Sequence, residues 1–560
     1  MARAARFHVG PPETVHMETR DGVRLDADLY RPDSEDPHAT FPVLLMRQPY
    51  GRRIASTVVF AHPAWYASHG YIVVIQDIRG RGTSDGAYRL FQNDVEDGAD
   101  AVRWAATLPG ADGTVAMYGF SYQGVTQMLA AAALLNESGT AQPLRALAPA
   151  MIGYGIHDDW VYEGGSFYLA PNIGWGIQMA AEEARLAGDE EAYLELRRGL
   201  GAVPPGDPIP ARPALLERYA SYGHYQDWVN QPAPGGYWDR ISPAGRLQGL
   251  DVPVLHVGGW YDLMLPGTLA GYRELAGQAS APQALAIGPW THMNWTGWHP
   301  AGRAGDAGES DIDLMLLAWF EHWMKGRPLP EEYAAPVRLY ALGRDDWLDF
   351  DAFPDPATTT FFLGGDGRAA LVSGSGRLQA SPDEHAVSDP VVLDPWRPTP
   401  TTGGHADHPG GRVDRSETDA RSDVLTFTSQ PLGETATLAG IPVAELHCRC
   451  DLASFDLSVV LSEVMPDGRA INITESYVRV GPDDERAPAR IELRPVAAEI
   501  AKGTALRLSV ALASFPAHMM NTGDGTHSRD AHLMDVPITT VEVVHGGTGG
   551  SRVLLPLLEN

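Results

Sequence analysis

The sequence predicts an α/β protein that ends in an all-β domain. Three observations carry this. Short apolar runs bounded by Gly or Pro alternate with a helical stretch before residue 150, the same runs return after residue 247, and helical periodicity disappears beyond about Pro354. At roughly 150 residues per domain the length allows about three to four domains. Apolar residues make up 44% and charged residues 20%, a globular composition that excludes disorder, collagen and coiled coil for the chain as a whole. The net charge of −29 sets up a field that repels phosphate backbones and anionic lipid heads, so neither nucleic acid nor membrane is an expected partner.

The first segment has period two. Val15, Met17 and Thr19 lead to the turn pair Asp21-Gly22, and Val23, Leu25, Ala27 and Leu29 follow, which is the pattern of an antiparallel hairpin. Val43 to Met46, Tyr71 to Ile75 and Val115 to Tyr118 are continuous apolar runs, as strands buried on both faces require. Between the last two, Val95, Ala99, Val102 and Ala106 recur at helical spacing behind Asn93 or Asp94 as a cap. Strand, helix and strand in that order predict a parallel sheet. From about Met151 to Arg246 the strand signal fades and helix-forming stretches such as Ala180 to Leu200 appear, which predicts a helical insertion. Val252 to Val257 and Ala284 to Ile287 resume the sheet, and Asp311 to Met324 supplies another helix. The expected division is therefore a core of residues 1–150 and 247–353, a helical cap of residues 151–246, and a β-domain of residues 354–560. In the last part, Val424 to Thr428, Val443 to Cys450, Leu457 to Leu461, Leu506 to Leu512 and Val541 to Val544 predict the strands of a jelly-roll sandwich, with Asp394 to Arg412 as extended coil.

Only two cysteines occur, Cys448 and Cys450. At i and i+2 on one strand they share a face too far apart for a comfortable disulfide, so both are expected to be reduced. Met1 to Gly10 lacks the apolar stretch of a secretory signal, and Met128 to Leu135 is too short to span a bilayer, so a cytoplasmic protein is expected.

The sharpest local signal is Gly119-Phe120-Ser121-Tyr122-Gln123-Gly124, between a strand and an apolar helix. A serine on such a turn is a nucleophile elbow, with small flanking residues permitting the strained backbone and the helix terminus favouring negative charge. Here the second glycine falls one residue later than in GxSxG. A serine nucleophile needs a base, and the base needs an acid to hold its tautomer. Asp262 in Gly258-Gly259-Trp260-Tyr261-Asp262 and His292 in Gly288-Pro289-Trp290-Thr291-His292 each follow a later strand, at the carboxyl edge where open α/β sheets bind ligands.

These stretches resemble the CocE/NonD family of serine hydrolases, related to bacterial cocaine esterase, α-amino-acid ester hydrolases and X-Pro dipeptidyl peptidases. The likeness rests on GYIVVIQDIRGRGTSDG from Gly70, GFSYQG from Gly119, DVPVLHVGGWYD from Asp251, GPWTH from Gly288, RSDVLTFTSQPL from Arg421 and PDGRA from Pro466. The late glycine matches this family's own elbow. The resemblance implies an α/β-hydrolase core with an inserted helical cap and a C-terminal jelly roll, and ester hydrolysis through a covalent acyl-enzyme with no metal or cofactor. It implies Ser121 as nucleophile, His292 as base, Asp262 as the residue orienting it, and the Tyr122 N–H with the Tyr50 hydroxyl as oxyanion donors. It also makes a homo-oligomer an expectation.

In the cap, Trp160, Phe167 and Trp175 are candidate apolar walls of a substrate pocket. Asp158, Asp159 and Glu163 are candidates to grip a substrate amine, as an X-Pro dipeptidyl peptidase or amidase would need; Trp260 and Tyr261 stand beside Asp262 where α-amino-acid ester hydrolases carry acids. A binding protein without catalysis is the alternative of a different class. His405-Ala406-Asp407-His408 is expected to be a solvated loop rather than a metal site, and Arg79-Gly80-Arg81-Gly82 a turn rather than a phosphate loop.

Overall fold

The computed structural model describes residues 6–201, 212–278, 281–406, 409–481, 488–526, 529–547 and 549–558. Glu13–Glu18 (β1) and Arg24–Tyr30 (β2) form the expected antiparallel hairpin, with Gly22 at φ +80° in its turn. Phe41–Gln48 (β3), Ile72–Asp77 (β4) and Ala111–Phe120 (β5) are the apolar runs, and every residue of β4 is buried. Asp94–Ala106 (α1) crosses from β4 to β5. Asn93 makes no side-chain cap; Asp94 is buried instead, 3.2 Å from Arg47, and accepts the Tyr122 hydroxyl at 2.6 Å.

Leu144–Ala150 (β6), Val254–Tyr261 (β7), Gln283–Thr291 (β8), Val337–Ala341 (β9) and Asp346–Phe350 (β10) complete a ten-stranded sheet. Its spatial order is β1-β2-β4-β3-β5-β6-β7-β8-β9-β10. From β4 through β9 neighbours run parallel, while β2 and β10 run antiparallel to theirs. This is the α/β-hydrolase arrangement. Tyr122–Ser138 (α2) packs behind β5 with most of its side chains buried, and Gly139 ends it in the left-handed conformation at φ +72°. The apolar stretch from Met128 is thus a core helix.

Between β6 and β7 the chain is helical, as expected. The stretch from Ala180 to Leu200 is two helices, Leu169–Leu186 (α3) and Glu190–Leu200 (α4), because Gly188 at φ +76° breaks the run and Asp189 caps the second by accepting the Ala192 N–H. After β7 come Leu265–Gln278 (α5) and Ile312–Lys325 (α6).

Beyond residue 357 the chain is β-rich, with eleven strands of the described residues joined in one hydrogen-bonded sheet. The expected strands are there as Val424–Ser429, Val443–Cys450, Phe455–Val464, Ala505–Ala511 and Thr539–His545. Cys448 and Cys450 are not disulfide-bonded, and burial pushes the Cys448 thiol up to about 12. One hydrophobic cluster runs through both regions, from Trp260, Leu265 and Leu339 to Leu425, Val459 and Val541. Main-chain bonds join them too: Leu342 N–H to Ala497 O at 3.0 Å, and Glu499 N–H to Leu342 O at 2.7 Å.

Candidate active site

Ser121 sits between β5 and α2 with φ +58° and ψ −127°, a backbone conformation that costs on the order of 1–3 kcal/mol. Neighbouring bonds hold it there. Its N–H donates to Ala150 O at 2.8 Å, and the Phe120 N–H donates to Gln123 Oε1 at 3.2 Å. The glycines on either side permit close approach: a Cβ at Gly119 would run into Gln123, and one at Gly124 into Ile152. The late glycine is therefore where α2 passes the end of β6.

His292 follows β8 and Asp262 follows β7, so both hang over the same sheet edge as Ser121. His292 Nδ1 lies 2.7 Å from Asp262 Oδ1, and Nε2 lies 3.0 Å from Ser121 Oγ. The Asp262 side chain is wholly buried, while 19% of the His292 side chain is exposed, toward a cleft of about 450 Å³. The cleft is lined mainly by apolar groups, including Tyr50, Phe120, Trp160, Trp175, Leu263 and Met264. Tyr50 accepts the Trp175 indole N–H at 3.3 Å, which leaves its own proton free to donate. Burial pushes that phenol up to about 12, so it stays protonated at neutral pH. Tyr122 has its side chain turned inward, stacked on Phe91 at 4.3 Å, and its main-chain N–H belongs to the first turn of α2, where helix donors lack helix acceptors.

Of the cap residues singled out in the sequence, Trp160 and Trp175 line this cleft and the others do not. Phe167 packs against Tyr162 and Tyr225. Asp158 is exposed and pairs with His157 at 2.6 Å. Asp159 accepts the Gly155 N–H at 2.6 Å and the Tyr154 N–H at 3.2 Å, and burial pushes its carboxyl up to about 6. Glu163 points toward the C-terminal β-region: its Oε2 accepts from Tyr168 at 2.8 Å, from His405 Nε2 at 2.9 Å and from His518 Nε2 at 2.9 Å. Burial alone would raise the Glu163 carboxyl, but the charges of His405 and Arg494 outweigh it and hold it well below the usual carboxylate range.

His405 is therefore buried, not solvated as the Gly-rich stretch suggested, because the carboxylates of Glu163 and Glu475 draw it inward. Asp407 and His408 lie outside the described residues. Glu163, His405 and His518 bring ligand-type atoms within 4.8 Å of one another, but the Arg494 guanidinium, with Nε 3.3 Å from Glu163 Oε1, already places a cation there. Arg79-Gly80-Arg81-Gly82 is a turn, as expected. Arg79 pairs with Asp97 and Asp21, and Arg81 stacks on Tyr88 at 3.7 Å.

Sequence reasoning missed Asn172, Gln178, Leu263, Met264 and Met293 as cleft residues, together with Ile54 and Val58 on the segment after Tyr50. Gln123 was within reach, since it stands inside the elbow motif two residues from Ser121.

The sheet order and the contacts of Ser121 and His292 define a class, a serine hydrolase on an α/β-hydrolase scaffold. Comparison with known proteins narrows it. Residues 21–294 match the X-Pro dipeptidyl-peptidase (S15) family, and residues 332–554 match the X-Pro dipeptidyl-peptidase C-terminal non-catalytic domain. Cocaine esterase of Rhodococcus sp. (strain MB1 Bresler) is 30% identical, over 97% of this chain and 98% of its own. Two solved structures share the fold at 20% identity. An aminopeptidase from a marine-sediment Thaumarchaeota archaeon has a TM-score of 0.80, covering 99% of this chain and 97% of its own. An α-amino-acid ester hydrolase has a TM-score of 0.77, covering 100% and 98%. The chain belongs to the CocE/NonD family of serine hydrolases, within the S15 group.

Proposed function

We propose that the protein hydrolyses carboxylic esters of small molecules, with Ser121 as nucleophile, His292 as general base and then acid, and Asp262 holding the imidazole. The observation that carries this is the position of His292, 3.0 Å from the hydroxyl it would deprotonate and 2.7 Å from the carboxylate that would hold its tautomer. Ser121 Oγ attacks the ester carbonyl as its proton passes to His292 Nε2. The negative charge that develops on the carbonyl oxygen is met by the Tyr50 hydroxyl and the Tyr122 N–H. The tetrahedral intermediate collapses as His292 returns the proton to the departing alkoxide, leaving an acyl-enzyme. Water, deprotonated by the same imidazole, then attacks the acyl carbon and releases the acid.

The lining of the cleft supports an ester rather than a peptide. It holds no carboxylate among the described residues, and Asp158, Asp159 and Glu163, the side chains that an amine-gripping enzyme would present, are engaged elsewhere. The residues that replace them are Trp160, Trp175, Leu263 and Met264, which suit an uncharged aromatic or alkyl acyl group.

We assign residues 1–150 and 247–353 to the core, 151–246 to the cap and 354–560 to the β-domain. The last strand of the first sheet ends at Phe350 and the first strand of the second begins at Thr358, which supports the last boundary. Two cysteines held as thiols rather than as a disulfide suit a reducing compartment, so the cytoplasm is the proposed location. A homo-oligomer remains the proposed assembly on family resemblance alone. Among the described residues no helix is long and apolar enough to cross a membrane.

The reading is tested by treating the protein with a fluorophosphonate and mapping the adduct by mass spectrometry. One stoichiometric adduct on Ser121, absent after Ser121→Ala, is expected. Labelling at another serine, or none, overturns the nucleophile assignment.

A further inference from the structure

The Asp262 carboxylate has one anchor. Oδ1 is 2.7 Å from His292, while Oδ2 is buried and meets no hydrogen-bond partner among the described residues. With one oxygen held by His292, the direction of this buried side chain depends on the main chain that carries it. That main chain is gripped from the other end of the protein. Arg494 lies between the strands Ala489–Glu492 and Val496–Ile500, and its side chain is 5% exposed. Nη1 donates to the Asp262 carbonyl at 3.0 Å; Nη2 donates to the Leu263 carbonyl at 3.1 Å and to the Tyr168 hydroxyl at 2.7 Å. A rigid planar fork on two successive carbonyls fixes both peptide planes. One of those residues carries the acid and the other is a wall of the cleft.

Arg494 is in turn held in place. Its Nε faces Glu163 Oε1 at 3.3 Å, and Glu163 Oε2 takes hydrogen bonds from Tyr168, His405 and His518. His405 Nδ1 lies 2.7 Å from Glu475. The backbone is shaped to bring these groups together: a Cβ on Gly164 would run into the Tyr477 carbonyl, and one on Gly404 into the Glu475 carboxylate. The cluster thus gathers side chains from the helical segment, the extended loop and the β-region around one guanidinium, and that guanidinium bonds to the segment carrying the acid.

We infer that Arg494 is a positioning residue of the hydrolytic site: through the carbonyls of Asp262 and Leu263, the part of the chain matched to a non-catalytic domain completes the active site. This rests on the reading of Ser121, His292 and Asp262 as a triad. The test is a double-mutant cycle on hydrolysis of a short-chain nitrophenyl ester, with Arg494→Met, Asp262→Asn and the pair, folding of each being checked by circular dichroism and thermal melting. Arg494→Met is expected to lower kcat by about 10- to 100-fold, as a misplaced catalytic group does, with KM changed less than about threefold. In the Asp262→Asn background the same change is expected to cost less than about threefold, because the group it positions has gone. Equal cost in both backgrounds, or wild-type kcat in Arg494→Met, overturns the inference. If Arg494→Met does not fold, Arg494→Lys carries the test: the charge without the fork is expected to leave kcat reduced about tenfold and again non-additive with Asp262→Asn, and wild-type kcat overturns the inference. Ser121→Ala, measured alongside, separates the two claims. Its loss of turnover with an unaffected Arg494→Met defeats only the role of Arg494, whereas near wild-type turnover by Ser121→Ala defeats the triad.

Discussion

Ser121 is held at φ +58° by bonds that do not involve its own hydroxyl, so the strain at this residue leaves Oγ free to face His292. Tyr50 lines the same cleft, where the Trp175 indole N–H occupies a lone pair of the phenol and leaves its proton free to donate. Tyr50→Phe is accordingly expected to lower kcat by about 100-fold with little change in KM, measured by steady-state ester hydrolysis. A raised KM at unchanged kcat would make Tyr50 a ground-state binding residue. Ser121, Asp262 and His292 were legible in the sequence because each follows a local rule, a serine between a strand and a helix and an acid and a histidine just past later strands, whereas Tyr50 came only from the family resemblance. Glu163 and His405 were not legible. Their directions are decided by partners far along the chain, Arg494 and His518 more than 300 residues from Glu163 and Glu475 70 residues from His405, and nothing in the neighbouring sequence announces those.

At the scale of elements, the elbow shows why the second glycine of this chain falls late. Gly124 is on the first turn of α2 and approaches the Ala150 carbonyl at the end of β6 and Ile152 just past it, so a side chain there would push the helix off the sheet. Gly124→Ala is expected to destabilise the protein by about 1–3 kcal/mol, read as a lower melting temperature, and to reduce kcat as the elbow shifts. An unchanged melting temperature would mean that α2 tolerates the displacement. The continuous apolar strands were legible because both of their faces are buried. β6 was harder: Leu144–Ala150 contains Arg145 and Pro149 and gives no clean run, although six of its seven residues are buried. Ala470–Val480 has polar residues on both faces, since Asn472 is buried and donates to the Gly411 carbonyl at 3.1 Å. Period-two reasoning fails on such a strand because its inward polar groups find partners.

For the molecule as a whole, the core and the β-region share a hydrophobic cluster, and the segment after residue 160 is stitched to the β-region by its main chain. Leu169 N–H donates to Ala517 O at 2.7 Å, Met519 N–H to Phe167 O at 3.0 Å and Arg479 N–H to Gly164 O at 2.8 Å. The Glu163 cluster gives this junction a pH dependence. A carboxyl held below its unfolded value contributes stability above the unfolded pKa and loses it as the pH falls through the folded one. Glu163→Gln should therefore lower the melting temperature at pH 7, where breaking a buried ion pair costs about 3 kcal/mol, and the gap from wild type should close on acidification below the ordinary carboxylate range. A gap independent of pH would show that the charge of Glu163 does not tie the regions together. Composition and charge made the scale of the molecule and its separate β-region legible, but a contact such as Arg494 to Asp262 arises only when the two regions pack.

Ester hydrolysis at Ser121 is tested by kcat/KM for a short-chain nitrophenyl ester and for Gly-Pro nitroanilide, measured with the wild-type protein and with Ser121→Ala. Turnover of the ester alone, reduced by at least about 10⁴-fold in the variant, is the predicted result. Strong anilide turnover, or an ester rate that survives Ser121→Ala, would contradict it.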